Sequence, residues 1–198
     1  VIRQTFNDRK VEIPADLKIE CLNVKADNFL QPAQFAENLQ RSVNFVKGTA
    51  ALFVNWMDLY SEHINQLPSD DQARCQRAGG DAAIHYLQSY WKLAPDEALV
   101  IFASEIPACK TWNFQLSNYW MESLDYRYYK ISLNKHSAVY ADDGSVTVVV
   151  AHQDPGKKYP NWLHTTGHDQ GGMLWRWVEA KTDDYPPVTC RVVKFSDL

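Results

Sequence analysis

Cysteine is scarce and scattered in this 198-residue chain. Cys21, Cys75, Cys109 and Cys190 show none of the close pairs that zinc or redox chemistry uses, so they are expected to be reduced and structural. With no other sign of export, the cytoplasm is the expected compartment. Long apolar runs are lacking too: ALFV near residue 51 and VTVVVA near residue 146 fall far short of the ~20 residues that span a bilayer. No membrane span is therefore expected, and the chain reads as soluble. A basic excess is also missing. The formal charge is -4, and scattered Lys and Arg form no stripe that would favour nucleic acid or an anionic membrane. No glycine loop is placed to cradle phosphate, and Ser123 lies in MESLD rather than in a glycine-flanked nucleophile elbow. Internal repeats and low-complexity tracts are absent. Residue 1 is Val and no charged-then-apolar leader follows, which points to a mature form or a fragment of a longer chain.

What is present suits a globular fold, with 45% apolar and 13% aromatic residues. Pro32 suits the first turn of a helix, and Phe35, Leu39, Val43, Val46, Ala50, Phe53 and Met57 then recur at steps of three and four. This predicts one amphipathic helix to about Tyr60. Its seam suits either a coiled coil or, as the commoner outcome, packing on its own domain. Ser69 and Gln72 form a capping-box pattern for a short second helix through about Arg77, ended by Gly79 and Gly80. Residues 81–91 fit helix or strand equally. After Pro95 the period changes to two, and seven strands are expected: 99–105, 110–116, 129–133, 138–141, 146–152, 173–179 and 188–195. Asp142, Asp143 and Gly144 give the strongest hairpin signal. Residues 153–172, rich in Gly and Pro, read as a loop too long for a mere connector. The expected organisation is a helical segment, 1–78, followed by an antiparallel β-sandwich domain, 79–198.

The segment from Trp112 to Trp177 holds five of the seven Trp and four of the six His among amides and charged groups. Indole walls with a few orienting polar heads suit a concave ligand site. His152, Asp154, His164 and His168 fall at a strand end and in the following loop. If a divalent metal binds, His152, His164 and His168 are its expected ligands, but no cofactor is favoured. Without a metal, His152 and His168 are the side chains nearest neutrality for proton transfer, with Glu122, Asp125 or Asp154 to orient a ring. The bland alternative for Asp154 is capping the turn at Pro155 and Gly156. Arg127 and Arg176 could fork onto a carboxylate, though a salt bridge to Glu122 or Asp125 is the safer reading of Arg127. Trp112, Phe114 and Leu116 alternate with Asn113, Gln115 and Ser117, giving one apolar and one hydrogen-bonding face. Asn118, Trp120 and Glu122 continue the polar series, suited to reading hydroxyls, whereas Trp112 is expected in the core.

In the order WNFQLSNYWMESLDYR, DGSVTVVVAHQDPG, PNWLHTTGH and RWV, the chain resembles the bacterial domain-of-unknown-function family 1214 over roughly residues 79 to 195. Asn161, Trp162, Leu163 and Arg176 match that pattern. The resemblance implies an antiparallel β-sandwich of jelly-roll character, often preceded by a second domain, and it brings no reaction, cofactor or catalytic assignment.

The expected fold class is thus α+β, mainly β. The expected function is binding of a small hydroxylated or carboxylated molecule, in a hydrolase or lyase if His-carboxylate acid/base chemistry operates. Catalytic candidates are His152, Asp154, His168 and Glu122. Ligand contacts are expected from Gln115, Asn118, Trp120, Arg127, Asn161, Trp162 and Arg176. The alternative is a non-catalytic binding or interaction module that forms a homo-oligomer through the long helix, and sequence leaves open whether the chain is an enzyme.

Overall fold

Eight strands of alternating inward and outward side chains form two four-stranded sheets in the computed structural model, which describes residues 2, 4–22 and 31–198. Of the expected helical segment 1–78, residues 1, 3 and 23–30 lie outside the described residues. Sheet A has the order β1-β7-β3-β4, from β1 (Ile84–Lys92), β7 (Gln170–Val178), β3 (Thr111–Leu116) and β4 (Ser132–Asn134). Sheet B has the order β6-β5-β2-β8, from β6 (Trp162–His164), β5 (Val146–Ala151), β2 (Glu97–Ala103) and β8 (Val188–Lys194). All pairs are antiparallel except β5 with β6. The result is the expected mainly β, jelly-roll-like sandwich with an N-terminal helix.

Period-two patterning explains the core. Leu87, Trp91, Trp112, Phe114, Met173, Trp175 and Trp177 of sheet A face Leu99, Ile101, Val146, Val148, Val150 and Leu163 of sheet B. Trp112 lies stacked on Trp175 with ring centroids 4.9 Å apart and planes 15° off parallel, a contact worth ~0.5–1.5 kcal/mol beyond burial. Trp112 is core, as its alternation implied.

Several local expectations are corrected. Within residues 81–91, which fit helix or strand equally, strand β1 begins at Ile84, and its inward-facing Leu87 and Trp91 join the core. Residues 138–141 form no strand, because the Asn161 side chain takes both the N–H and the C=O of Val139, at 2.8 and 2.7 Å, leaving no ladder to join. The turn at Gly144 forms, with φ +85° and Gly144 N–H donating to Ala141 O, but it leads into β5 from an irregular segment. The strand expected over 129–133 is displaced to β4. The supposed loop 153–172 contains β6 and runs into β7. Position 171 within β7 is glycine because a Cβ there would lie 2.0 Å from Ser117 O; glycine here marks a close backbone approach rather than a turn.

Helix α2 (Gln72–Arg77) is capped by Asp71, whose carboxylate accepts the Arg74 N–H at 3.0 Å, not by Ser69. Gln72 is used elsewhere: its amide accepts the Tyr86 N–H and donates to Tyr86 O, both at 2.9 Å. Asn65 treats Lys92 the same way, at 2.9 and 2.7 Å. Two side-chain amides thus occupy the outer edge of β1, which would otherwise offer unpaired backbone groups.

Helix α1 spans Pro32–Tyr60 with Pro at its start, as expected. Its packing differs from expectation. Only Met57 and Tyr60 are buried, on the outer face of sheet A, where Met57 approaches Gly172 and clusters with Tyr90. The preceding turns project from the sandwich. No helix among the described residues is long and apolar enough to cross a membrane.

Candidate functional site

The residues singled out from the sequence separate into two regions. Strand register puts the ends of β1, β3, β5 and β6 at one end of the sandwich, together with the 117–131 and 165–169 segments. Asn118, Trp120, Glu122, Arg127, His152, Asp154, His164 and His168 belong to that end. Several of them are engaged in local contacts there. Asn118 and Glu122 close a tight turn: the Asn118 side-chain Oδ1 accepts the Trp120 and Glu122 N–H groups at 2.9 and 3.0 Å, and its Nδ2 donates to the Glu122 carboxylate at 2.7 Å. That turn ends the strand alternation and leaves Trp120 58% exposed, edge-on to Tyr119. Arg127 forks onto Asp125 at 3.0 and 3.1 Å. Asp154 accepts the Gly156 N–H at 2.7 Å, which is the turn-capping role.

His152 hydrogen-bonds Thr165 Oγ1 through Nδ1 at 2.8 Å, and its Nε2 is buried with no partner among the described residues. His164 Nδ1 accepts the Thr166 N–H at 2.7 Å, which places the ring proton on Nε2. Burial first, and then the charge of neighbouring His152, hold the His164 pKa below its ordinary value. His164 also stacks on Tyr129. His168 is exposed. Among the described residues no three His, Cys, Asp or Glu side chains converge for a metal ion, so His152, His164 and His168 do not form one ligand set. Neither Asp154 nor Glu122 hydrogen-bonds a histidine ring among the described contacts.

Asn161 and Trp162 serve β6. Asn161 is almost fully buried and its amide also donates to Thr147 O at 3.1 Å, while the Trp162 indole donates to Ala151 O at 3.3 Å. Both tie β6 and the 138–141 segment to β5.

The second region is the outer face of sheet A. There Arg176 Nη1 donates to Asn113 Oδ1 at 3.0 Å and to Gln115 Oε1 at 3.2 Å, so two of the expected ligand residues, Gln115 and Arg176, meet across β3 and β7. At the β4 side an N-terminal arm closes the face, with Thr111 Oγ1 donating to Asn7 Oδ1 at 2.5 Å, Asn134 donating to Asn7 O at 3.0 Å, and His136 3.1 Å from Asp8. The β1 side is different. The end of α1, the start of α2 and Gln88 of β1 enclose a depression of about 140 Å³.

Its lining is polar. The Tyr60 hydroxyl donates to Gln88 Oε1, and both residues are buried. Asp70, almost wholly buried, pairs with Arg74 four residues on and accepts from Cys75 Sγ at 3.4 Å. Burial, and then the Asp70 charge, push the Cys75 thiol up to about 12, so it stays a thiol. Burial likewise drives the Tyr60 phenol well above its ordinary range, with Asp70 adding to this and Arg176 opposing it. Tyr60 is therefore a fixed O–H donor, and Arg176 is close enough to be felt at it. Arg74 Nε is buried and has no hydrogen-bond partner among the described residues. Glu62, His63, Ser69 and Asp71 form the rim, and Ser69 Oγ lies 2.9 Å from His85 Nε2.

Sequence reasoning missed Tyr60, Asp70, Arg74 and Gln88 as site residues. Two signals pointed to them: Asp70 and Arg74 have the spacing of a helical ion pair, and Gln88 is an amide inside the apolar run HYLQSYW. Another depression, about 330 Å³ on the outer face of sheet B, has Val100 and Phe102 with Arg191 as its one charged group. It lacks converging polar groups.

Residues 98–182 match a family model described as "Protein of unknown function (DUF1214)". Among solved structures, the chain is similar to an uncharacterized protein from Burkholderia cenocepacia, at 49% identity and a TM-score of 0.90, over 98% of this chain and 53% of that one. The chain thus spans about half the length of that relative. The VPA0106 protein from Vibrio parahaemolyticus is 17% identical with a TM-score of 0.45, over 57% of this chain and 31% of that one. No curated protein matches.

Proposed function

We propose that this chain, whose residues 98–182 belong to the DUF1214 family, binds a small, neutral, hydroxyl-rich molecule in the depression between α1, α2 and β1. The observation that carries this reading is Arg74 Nε, a buried donor left over after the guanidinium has paired with Asp70. A buried N–H without an acceptor is costly, by ~1–3 kcal/mol, and a ligand oxygen would remove that cost. Tyr60 and Gln88 supply a hydroxyl and an amide beside it, the kinds of group that fix a polar ligand's orientation.

Charge selects among ligands. Glu62, Asp70 and Asp71 outnumber Arg74, so a carboxylate would meet a surplus of negative charge, whereas a polyol can donate to the rim carboxylates. The small volume sets the scale at a few carbon atoms rather than a polycyclic compound.

Thermal unfolding with glycerol, erythritol and glucose, against glycerate and gluconate as charged controls, tests the proposal. A polyol that fits should raise Tm by about 5–10 °C at one hundred times its Kd, the ~2.7 kcal/mol of mass-action stabilisation divided over a domain of this size. Arg74→Lys keeps a cation for Asp70 but lacks Nε–H, and should weaken binding about tenfold. The double variant Tyr60→Phe/Gln88→Leu removes both hydrogen-bond partners together, which is close to neutral for stability, and should lose the specific shift. Equal shifts in wild type and both variants would reduce the effect to general co-solvent exclusion and defeat the assignment.

A further inference from the structure

Helix α1 leaves unburied the apolar side chains that the hydrophobic effect would remove from water. Phe35 is 52% exposed, Leu39 56% and Val46 65%. A helix held only by its last turn is marginal in water, so the preceding turns call for a partner.

The sequence of α1 describes that partner. Ala36, Leu39, Val43, Val46, Ala50 and Phe53 are spaced 3, 4, 3, 4 and 3, a heptad seam that runs on to Met57, where sheet A of the same chain covers it. A strict 3.5-residue period keeps its stripe facing another helix that supercoils with it, and drifts off a flat sheet. Among the described residues the only other α-helix is α2, with six residues, too short to serve. We infer that α1 is the seam of a homodimer, each copy covering the other's Leu39, Val43 and Val46.

Area and charge agree with self-pairing. The projecting turns of α1, residues 32–53, are ~33 Å long and ~10 Å wide, so their seam can bury several hundred Å² per copy, within the range of a specific interface at its smaller end. The positions flanking the seam, Gln40, Ser42 and Thr49, carry no charge, and only Lys47 does, so two copies bring no run of like charges together.

Sedimentation equilibrium of the whole chain between 1 and 100 μM tests the inference. Twice the monomer mass is expected, with dissociation on dilution. Leu39→Asp and Val46→Asp, at positions more than half exposed, should return the monomer mass with the near-ultraviolet signal of the tryptophan core unchanged. Phe45→Ser, exposed but off the seam, should leave the dimer intact. A monomer at 100 μM overturns the inference, and so does dissociation by Phe45→Ser to the same extent as by Val46→Asp.

Discussion

A single side chain can decide whether a segment becomes strand. Asn161 spends both of its donors and its acceptor on Val139 and Thr147, which holds the 138–141 segment against β5 without a ladder. Asn161→Ala should strand these backbone groups in a buried site and cost about 2–4 kcal/mol in urea unfolding. A loss under ~0.5 kcal/mol would mean that solvent replaces the amide. His164 makes a second residue-scale case, through pH. Its folded pKa lies below the ordinary 6.5, so protonation favours the unfolded chain. Its contribution is complete above about pH 6.5 and is lost as pH falls through the depressed folded value. His85, lowered by burial, acts in the same direction. The urea midpoint should fall between pH 7 and pH 5, and His164→Asn, whose amide can still accept the Thr166 N–H, should show a smaller fall. An equal fall in the two proteins would remove His164 from the account.

At the scale of elements, the edge of β1 shows how the helical and β parts are joined. Backbone bridges at Ile64 and Ser69 and the amides of Asn65 and Gln72 continue the ladder beyond β1. That edge also positions the depression, because α2 carries Arg74 and β1 carries Gln88. Gln72→Ala should free the Tyr86 N–H, while the Tyr86 carbonyl keeps the Asp70 N–H. The expected cost is about 1–3 kcal/mol, and the Tyr86 amide should exchange with solvent at least tenfold faster in hydrogen-exchange measurements. Unchanged exchange would show that α2 is anchored by Cys75 and the Asp70–Arg74 pair alone. The family match begins at residue 98, after β1, so the elements that enclose the depression lie outside the matched segment.

For the molecule as a whole, sequence and tertiary structure each settled different things. The sandwich was legible because alternation between faces is written locally: Trp112, Phe114 and Leu116 are buried and Asn113 and Gln115 are not, as their order dictates. The span of α1 was legible for the same reason, from Pro32 and a three-and-four spacing. The role of Gly171 inside β7 and the absence of a strand at 138–141 were not, since close approach of Ser117 and capture by Asn161 come from residues far along the chain. The candidate site was hidden for the same cause. Tyr60, Asp70, Arg74 and Gln88 come from α1, the loop before α2, α2 and β1, and the convergence of their polar atoms depends on α1 ending over β1. The Trp- and His-rich segment stood out in composition, yet four of its indoles went to the core or to β6 and its carboxylates to turns. What the sequence determined alone is periodicity, and hence which elements form and which faces are apolar. Only the tertiary structure decided which faces meet, because contacts between distant residues are set by the packing of whole layers and leave no mark in local order.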